Sequence, residues 1–286
     1  MIRLLVSDLD GTFLMSEAVD GSFVSKENME AMKRFRAAGG TFVTCSGRHH
    51  EYSYSLMEEL GFEFDMIGTN GATLIHKNHL IEHNHPQRHI VREVVSELTK
   101  EEYRNELEVV GVDLSFTYIL GHGKKSWCMP DFAKMMENGI IGGVSEMCLE
   151  DWLNDRKKPD ITSLSVMIQD GSKLYEWIDR LRSMFDKYFD IYASGERYIE
   201  MMRPGINKGH GVRSLMKIYG LEEHEIAVVG DNQNDISMFF TTPNSFVMST
   251  ATNAVKKYAN YTVDSVAQAI DIIMKKNDAE KASKMG

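Results

Sequence analysis

The chain has 286 residues, 43% of them hydrophobic, and its 42 acidic side chains against 32 basic ones leave a formal charge of −10. This length favours two domains, and an acidic chain without a Lys/Arg block is a poor match for a nucleic-acid backbone. No apolar run reaches membrane-spanning length, an acidic pair near the start argues against a secretory leader, and three scattered cysteines (Cys45, Cys128, Cys148) argue against a disulfide framework, so a cytoplasmic setting is expected.

Residues 2–6 are apolar and predict a strand that runs into Ser7-Asp8-Leu9-Asp10-Gly11-Thr12. Side chains two apart in a strand share a face, so Asp8 and Asp10 would repel, and a divalent cation is the natural compensation. Ser25 is placed to cap a helix ending at residue 38, and Gly39-Gly40 stops it. A second strand over 41–45 leads to Ser46-Gly47-Arg48, a hydroxyl beside a flexible glycine that suits a phosphate oxygen. A helix over 49–60, a strand over 65–68 and a hairpin within 72–81 follow.

The pattern changes between residues 86 and 190. It predicts a helix over 90–98, a strand over 114–120, a basic polar loop over 122–126 and a helix near 132–137. A strand over 161–168, a helix over 174–188 and a strand near Ile191 complete about a hundred residues, enough for a separate α+β layer. Lys208 then opens a helix running to residue 219, after the turn Gly205-Ile206-Asn207. A buried-type strand over 226–229 ends in Gly230-Asp231-Asn232-Gln233-Asn234-Asp235. A strand over 246–248 and a last helix over 266–275 follow, with a polar tail from residue 277 expected to fray. His76, His79, His83, His85 and His89 span the predicted hairpin and the start of the middle region, and read as a polar linker.

Strand–helix alternation implies a parallel sheet covered on both faces, with ligands gathering beyond the carboxyl ends of its strands. Both acidic clusters, the serine and the lysine fall on that edge. Oxygen donors alone suit Mg²⁺ rather than zinc, and a lysine opening a helix neutralises a bound anion.

The order Asp-x-Asp-Gly-Thr, Ser-Gly-Arg, Lys, Gly-Asp-x-x-Asn-Asp resembles the four motifs of the haloacid dehalogenase (HAD) superfamily phosphatases, specifically the Cof-type subgroup (subfamily IIB, C2-type cap). Asn70-Gly71-Ala72 and Met238 match further habits of that subgroup, while Ser249 to Ala254 departs from its usual Gly-Asn-Ala. The resemblance covers essentially the whole chain. It implies an α/β fold with a Rossmann-like parallel-sheet core (residues 1–85 and 191–286) and an inserted α+β cap domain (residues 86–190) that sets specificity.

It also implies that Asp8 is the nucleophile and Asp10 the general acid and then base. Mg²⁺ would be held by the Asp8 carboxylate, the Asp10 main-chain carbonyl and Asp231, with Asp235 behind them as an orienting group. Ser46, Gly47 and Lys208 would meet the phosphoryl oxygens, Gly11 and Thr12 would offer them main-chain N–H groups, and Asn234 would touch phosphate or water. The expected reaction is hydrolysis of a small phosphorylated metabolite, of the sugar phosphate, flavin mononucleotide or pyridoxal phosphate type, by a monomer or homodimer. A phosphohexomutase and a non-catalytic phosphometabolite sensor are the alternatives.

Overall fold

The computed structural model describes residues 1–19, 22–48, 50–114, 116–120, 127, 143–145 and 160–285. The basic loop expected over 122–126 and the helix expected near 132–137 lie outside them. The strands, in chain order, are β1 (Leu4–Ser7), β2 (Leu14–Val19), β3 (Ser22–Val24), β4 (Thr41–Cys45), β5 (Asp65–Gly68), β6 (Thr73–His76), β7 (His79–His83) and β8 (Leu107–Val112). They continue with β9 (Phe116–Ile119), β10 (Gly143–Ser145), β11 (Ser163–Ile168), β12 (Asp190–Ala193), β13 (Tyr198–Met202), β14 (Ile226–Gly230), β15 (Ser245–Met248) and β16 (Tyr261–Val263).

The chain divides into two compact units. One comprises Met1–Gly47, Ser53–Ile81 and Asn207–Gly286, and the other Arg48–Tyr52 and Glu82–Ile206. The first is built on an eight-stranded sheet of order β16-β15-β14-β1-β4-β5-β6-β7. β1 pairs in parallel with β14 (Leu4 opposite Ile226) and with β4 (Leu4 opposite Thr41), and β4–β5, β14–β15 and β15–β16 are parallel as well. Leu4, Leu5, Val6 and Ser7 are all fully buried, as a central parallel strand flanked by helices on both faces requires. Leu4 and Val6 pack with Val43, Ile67, Val228 and Leu215, and Cys45, a free thiol, is buried in the same cluster. Because these strands run the same way in register, Ser7, Cys45, Gly68 and Gly230 end at one edge.

Ser25 caps the helix Lys26–Ala37 as expected, its hydroxyl accepting from the Asn28 N–H at 3.1 Å. Asn28 is itself buried and joins distant parts of the unit, donating to Phe13 O (3.2 Å) and accepting from the Ala267 N–H (3.0 Å). The last helix does not fray at residue 277 but continues over Val266–Met285. Asn277 docks it by bonding both the N–H and the carbonyl of Ile2 (2.7 and 2.8 Å), and Lys284 pairs with Glu280 one turn back. Its alanines and lysines are strong helix formers, a signal that outweighs the polarity of the segment.

The second unit holds a six-stranded mixed sheet of order β10-β9-β8-β11-β13-β12. Helices Arg88–Leu98 and Leu174–Phe185 pack Val91, Val95, Trp177 and Leu181 against Leu107, Val109, Leu164 and Val166 of the sheet. The strand expected near Ile191 is β12, which joins this sheet through β13, a strand not expected from the sequence; β13 pairs with β11, so the unit continues past residue 190 to Ile206. Within the histidine run His76 bonds Asp65, His83 bonds Thr162 and His85 pairs with Asp160, while the His83 and His85 rings lie 5.0 Å apart. Among the described residues, no helix is long and apolar enough to cross a membrane.

Glu200 lies on β13 with its carboxyl enclosed. Burial pushes it up to about 7, and hydrogen bonds from Ser165 (3.0 Å) and Ser194 only partly oppose this. A carboxyl whose pKa is raised by folding contributes stability below its unfolded value, and that contribution is lost as pH rises from 4.5 through about 7. Glu200→Gln removes this dependence. Urea melts at pH 5 and pH 8 should show the variant gaining on the parent only at the higher pH, and an equal difference at both would refute the assignment.

Candidate active site

Asp8 directly follows β1, and its N–H donates to Val229 O at 2.9 Å, carrying the β1–β14 ladder one residue further. The residue is 5% exposed, yet it is not alone: Lys208 Nζ donates to Asp8 Oδ1 at 2.7 Å and to Asp235 Oδ1 at 2.6 Å. Lys208 is the first residue of the helix Lys208–Tyr219, capped by Asn207, whose side chain accepts from the His210 N–H at 3.0 Å. The amine is delivered by a fixed helix start rather than by a loop.

Asp235 is fully buried and uses both oxygens. While Oδ1 takes the lysine, Oδ2 accepts from the Asp231 and Asn232 N–H groups at 2.8 and 2.9 Å, folding the loop after β14 back on itself. Gly230 makes this turn possible, because a Cβ there would lie 2.4 Å from Asp235 Cγ. Asp231 then faces the β1 loop and accepts from Thr12 Oγ1 at 2.8 Å. One carboxylate oxygen from each of Asp8, Asp231 and Asp235 falls within 4.8 Å of the others.

Burial raises the Asp8 carboxyl well above the usual range; Asp235 adds to the shift and Lys208 partly offsets it. Burial likewise raises Asp231, against the hydrogen bond from Thr12. At Lys208 burial penalises the charged amine, but Asp235 and Asp8 outweigh that penalty and hold it charged. Ionising all three carboxylates around one ammonium would leave the cluster two positive charges short, which a bound dication would supply. Asp235 has no oxygen to spare, so Asp8 and Asp231 are the carboxylates with capacity for a cation. An all-oxygen donor set of this net charge fits a hard dication such as Mg²⁺.

The sequence profile of the haloacid dehalogenase-like hydrolases matches residues 5–271, nearly the whole chain. The chain belongs to that family. Among its curated relatives, a 5-amino-6-(5-phospho-D-ribitylamino)uracil phosphatase of Escherichia coli is 26% identical over 284 residues, covering 96% of this chain and 97% of the relative. A phosphatase of the same name from Bacillus subtilis is 25% identical over 285 residues, covering 92% of this chain and 93% of the relative. A crystal structure of a haloacid dehalogenase-like hydrolase from Bacteroides thetaiotaomicron shares the fold, with a TM-score of 0.77 at 24% identity, over 96% of this chain and 100% of that one.

Within this hydrolase fold the residues singled out by sequence spacing take distinct positions. Asp8, Lys208, Asp231 and Asp235 converge. Asp10 is solvent-exposed, and its side chain stands outside the carboxylate cluster. Gly11 adopts φ +75°, and a Cβ there would sit 2.7 Å from Asp231 Oδ2, so only glycine lets the two loops approach. The Thr12 N–H donates to Leu9 O at 3.2 Å, and its hydroxyl donates to Asp231, which ties the β1 loop to the loop after β14.

Ser46 is buried at the end of β4, with its N–H on Ile67 O at 2.9 Å, and Gly47 follows it. Asn234 donates from Nδ2 to Asn70 Oδ1 at 3.0 Å. Asn70 had no role in the sequence reading beyond a subgroup habit; its one local signal was the Asn-Gly step directly after a predicted strand.

Proposed function

We propose that the protein is a Mg²⁺-dependent phosphatase of a small phosphorylated metabolite, working through an aspartyl-phosphate on Asp8. The observation that carries this reading is the buried Asp8–Lys208–Asp235 chain, with Asp231 alongside, at the carboxyl edge of the sheet of a hydrolase. Asp8, Asp231 and the Asp10 main-chain carbonyl would hold Mg²⁺, which when bound supplies charge to screen the incoming phosphoryl group from the carboxylates. The names of the two curated relatives support a substrate in which a ribityl phosphate is joined to a heterocycle, close to the flavin mononucleotide type expected from the sequence. A cytoplasmic location belongs to the same proposal.

In the first half-reaction an Asp8 carboxylate oxygen forms a bond to phosphorus as the ester P–O bond breaks, and Asp10 gives its proton to the departing alkoxide. In the second, Asp10 takes a proton from water as that water attacks the same phosphorus, which releases phosphate and restores Asp8. Asp10 follows Asp8 by two residues and is exposed, so it can be reached by both the departing alkoxide and the incoming water. Lys208 fixes the Asp8 carboxylate and balances charge on the phosphoryl oxygens, with Ser46 and Gly47 as further contacts. The second unit would act as the cap, meeting the remainder of the substrate and excluding water.

The test is inorganic phosphate release from a panel of sugar phosphates, nucleotides and cofactor phosphates, with and without Mg²⁺. Metal-dependent release supports the proposal. A sugar phosphate that isomerises without release would indicate a mutase, and ligand binding without turnover a sensor.

A second measurement needs no substrate. Asp8 and Asp231 retain protons above the ordinary carboxylate range, and a dication must displace them. Mg²⁺ should therefore raise the melting temperature by more at pH 8 than at pH 5.5, corresponding to about 2.7 kcal/mol at a hundred times the Kd. Asp231→Asn should remove most of the increment. Equal melting temperatures with and without Mg²⁺ at pH 8 would contradict the metal assignment.

A further inference from the structure

β5 ends at Gly68, and the next three residues, Thr69, Asn70 and Gly71, all adopt left-handed backbone, with φ of 46°, 51° and 96°. Asparagine tolerates this region, but a β-branched threonine there is a genuine outlier. Thr69 is also buried, with no hydrogen-bond partner for its hydroxyl among the described residues. Glycine at 69 or 70 would take the same path without strain. Strain of this kind persists where the surroundings over-determine it, and here they do.

The Asn70 N–H donates to Ser46 O at 3.0 Å, and Asn70 Oδ1 accepts from Asn234 Nδ2 at 3.0 Å. Gly47 leaves room for the Asn70 amide, since a Cβ at 47 would stand 3.2 Å from its oxygen and 3.3 Å from its nitrogen. Gly71 brings the same turn against the start of the lysine helix, where a Cβ would stand 2.0 Å from Asn207 O and 3.1 Å from Lys208 N. One turn thus touches the serine loop, the lysine helix and the second acidic loop. Asn234, with its amide nitrogen committed to Asn70, keeps a buried Oδ1 that has no partner among the described residues. An amide oxygen repels phosphate oxygens but accepts from an O–H group.

We propose that Asn70 is a positioning residue for the reaction described above: it fixes the Asn234 amide so that Oδ1 accepts from the O–H of the attacking water or of a substrate hydroxyl. The strained turn is retained to hold that orientation. Asn70 itself touches no reacting atom, so its effect falls on kcat through Asn234.

Three variants test this. Asn70→Gly keeps the left-handed path but removes the side chain; its urea midpoint should be no lower than the parent's, while kcat falls about tenfold to a hundredfold. Asn70→Asp keeps an acceptor for Asn234 Nδ2, and should restore most of kcat while the added charge raises KM. In an Asn234→Ala background, Asn70→Gly should cost nothing further.

A lowered midpoint with kcat unchanged would assign Asn70 a structural role only. An equal loss in both backgrounds would show that it does not act through Asn234. Either result overturns the proposal. Should the parent release no phosphate, the phosphatase reading fails and the Asn70 inference, which rests on it, fails with it; in an active parent the two results above overturn the Asn70 inference alone.

Discussion

Replacing Asp8 with asparagine is expected to lower turnover by about four orders of magnitude or more while leaving the chain folded, with a melting temperature in metal-free buffer no lower than the parent's. The first half of this expectation follows from chemistry: an amide cannot form the acyl-phosphate bond that the carboxylate forms. The second follows from electrostatics. Burial and Asp235 make ionisation of Asp8 unfavourable, so the carboxylate is a cost that the site carries for function. An asparagine oxygen still accepts from Lys208 Nζ without adding to the crowded negative charge. Phosphate release and thermal melting on the same preparation check both halves. Retained turnover would remove Asp8 as nucleophile, whereas a clearly lower melting temperature would show that the carboxylate stabilises the fold.

The second large effect is expected at Lys208. Lys208→Met keeps the volume of the side chain and removes the ammonium, which leaves Asp8 and Asp235 buried and facing one another. Breaking a buried ion pair from one side costs about 3–5 kcal/mol, so urea melts at pH 8 should show a loss of that order, together with loss of turnover. The deficit should shrink as pH falls and the carboxyls take up protons, because the uncompensated charge is then gone. A loss below about 1 kcal/mol at pH 8 would mean that the pair behaves like a solvated surface bridge, contrary to its burial. Adding Mg²⁺ to this variant should recover part of the stability by restoring positive charge.

Much of the site was legible because each of its main groups directly follows a strand or opens a helix. Asp8 after β1, Ser46 after β4, Asp231 after β14 and Lys208 at a helix start need only an apolar run and its punctuation to be placed on one edge. The parallel sheet was legible for the same reason. Partner choice was not. Period-two alternation marks a strand without naming its neighbour, so the boundary at residue 190 misses that β12 joins the second sheet through β13, which pairs with β11.

The bond between Asn70 and Asn234 spans 164 residues and has no local trace beyond an Asn-Gly step. The Thr12 contacts have no local trace either: the turn closes on Leu9 O through the Thr12 N–H, and the hydroxyl reaches Asp231, 219 residues away. In the final helix the polarity of the last turns masks their helix propensity, and the docking of Asn277 on Ile2, 275 residues away, leaves no local signal.

The central position of β1 has a consequence for how the chain is made. Its two neighbours are β4, synthesised almost at once, and β14, which emerges only after the whole second unit. At 5–20 residues per second, the interval is about ten seconds at the fastest and over half a minute at the slowest. During that time the second unit can close on itself, while β1 waits with Leu4, Leu5 and Val6 and one row of backbone donors and acceptors uncovered. The growing chain therefore passes through a stage in which its smaller half is finished and its catalytic half offers an open strand edge, and this is the stage at which chaperone contact or misassembly would be concentrated.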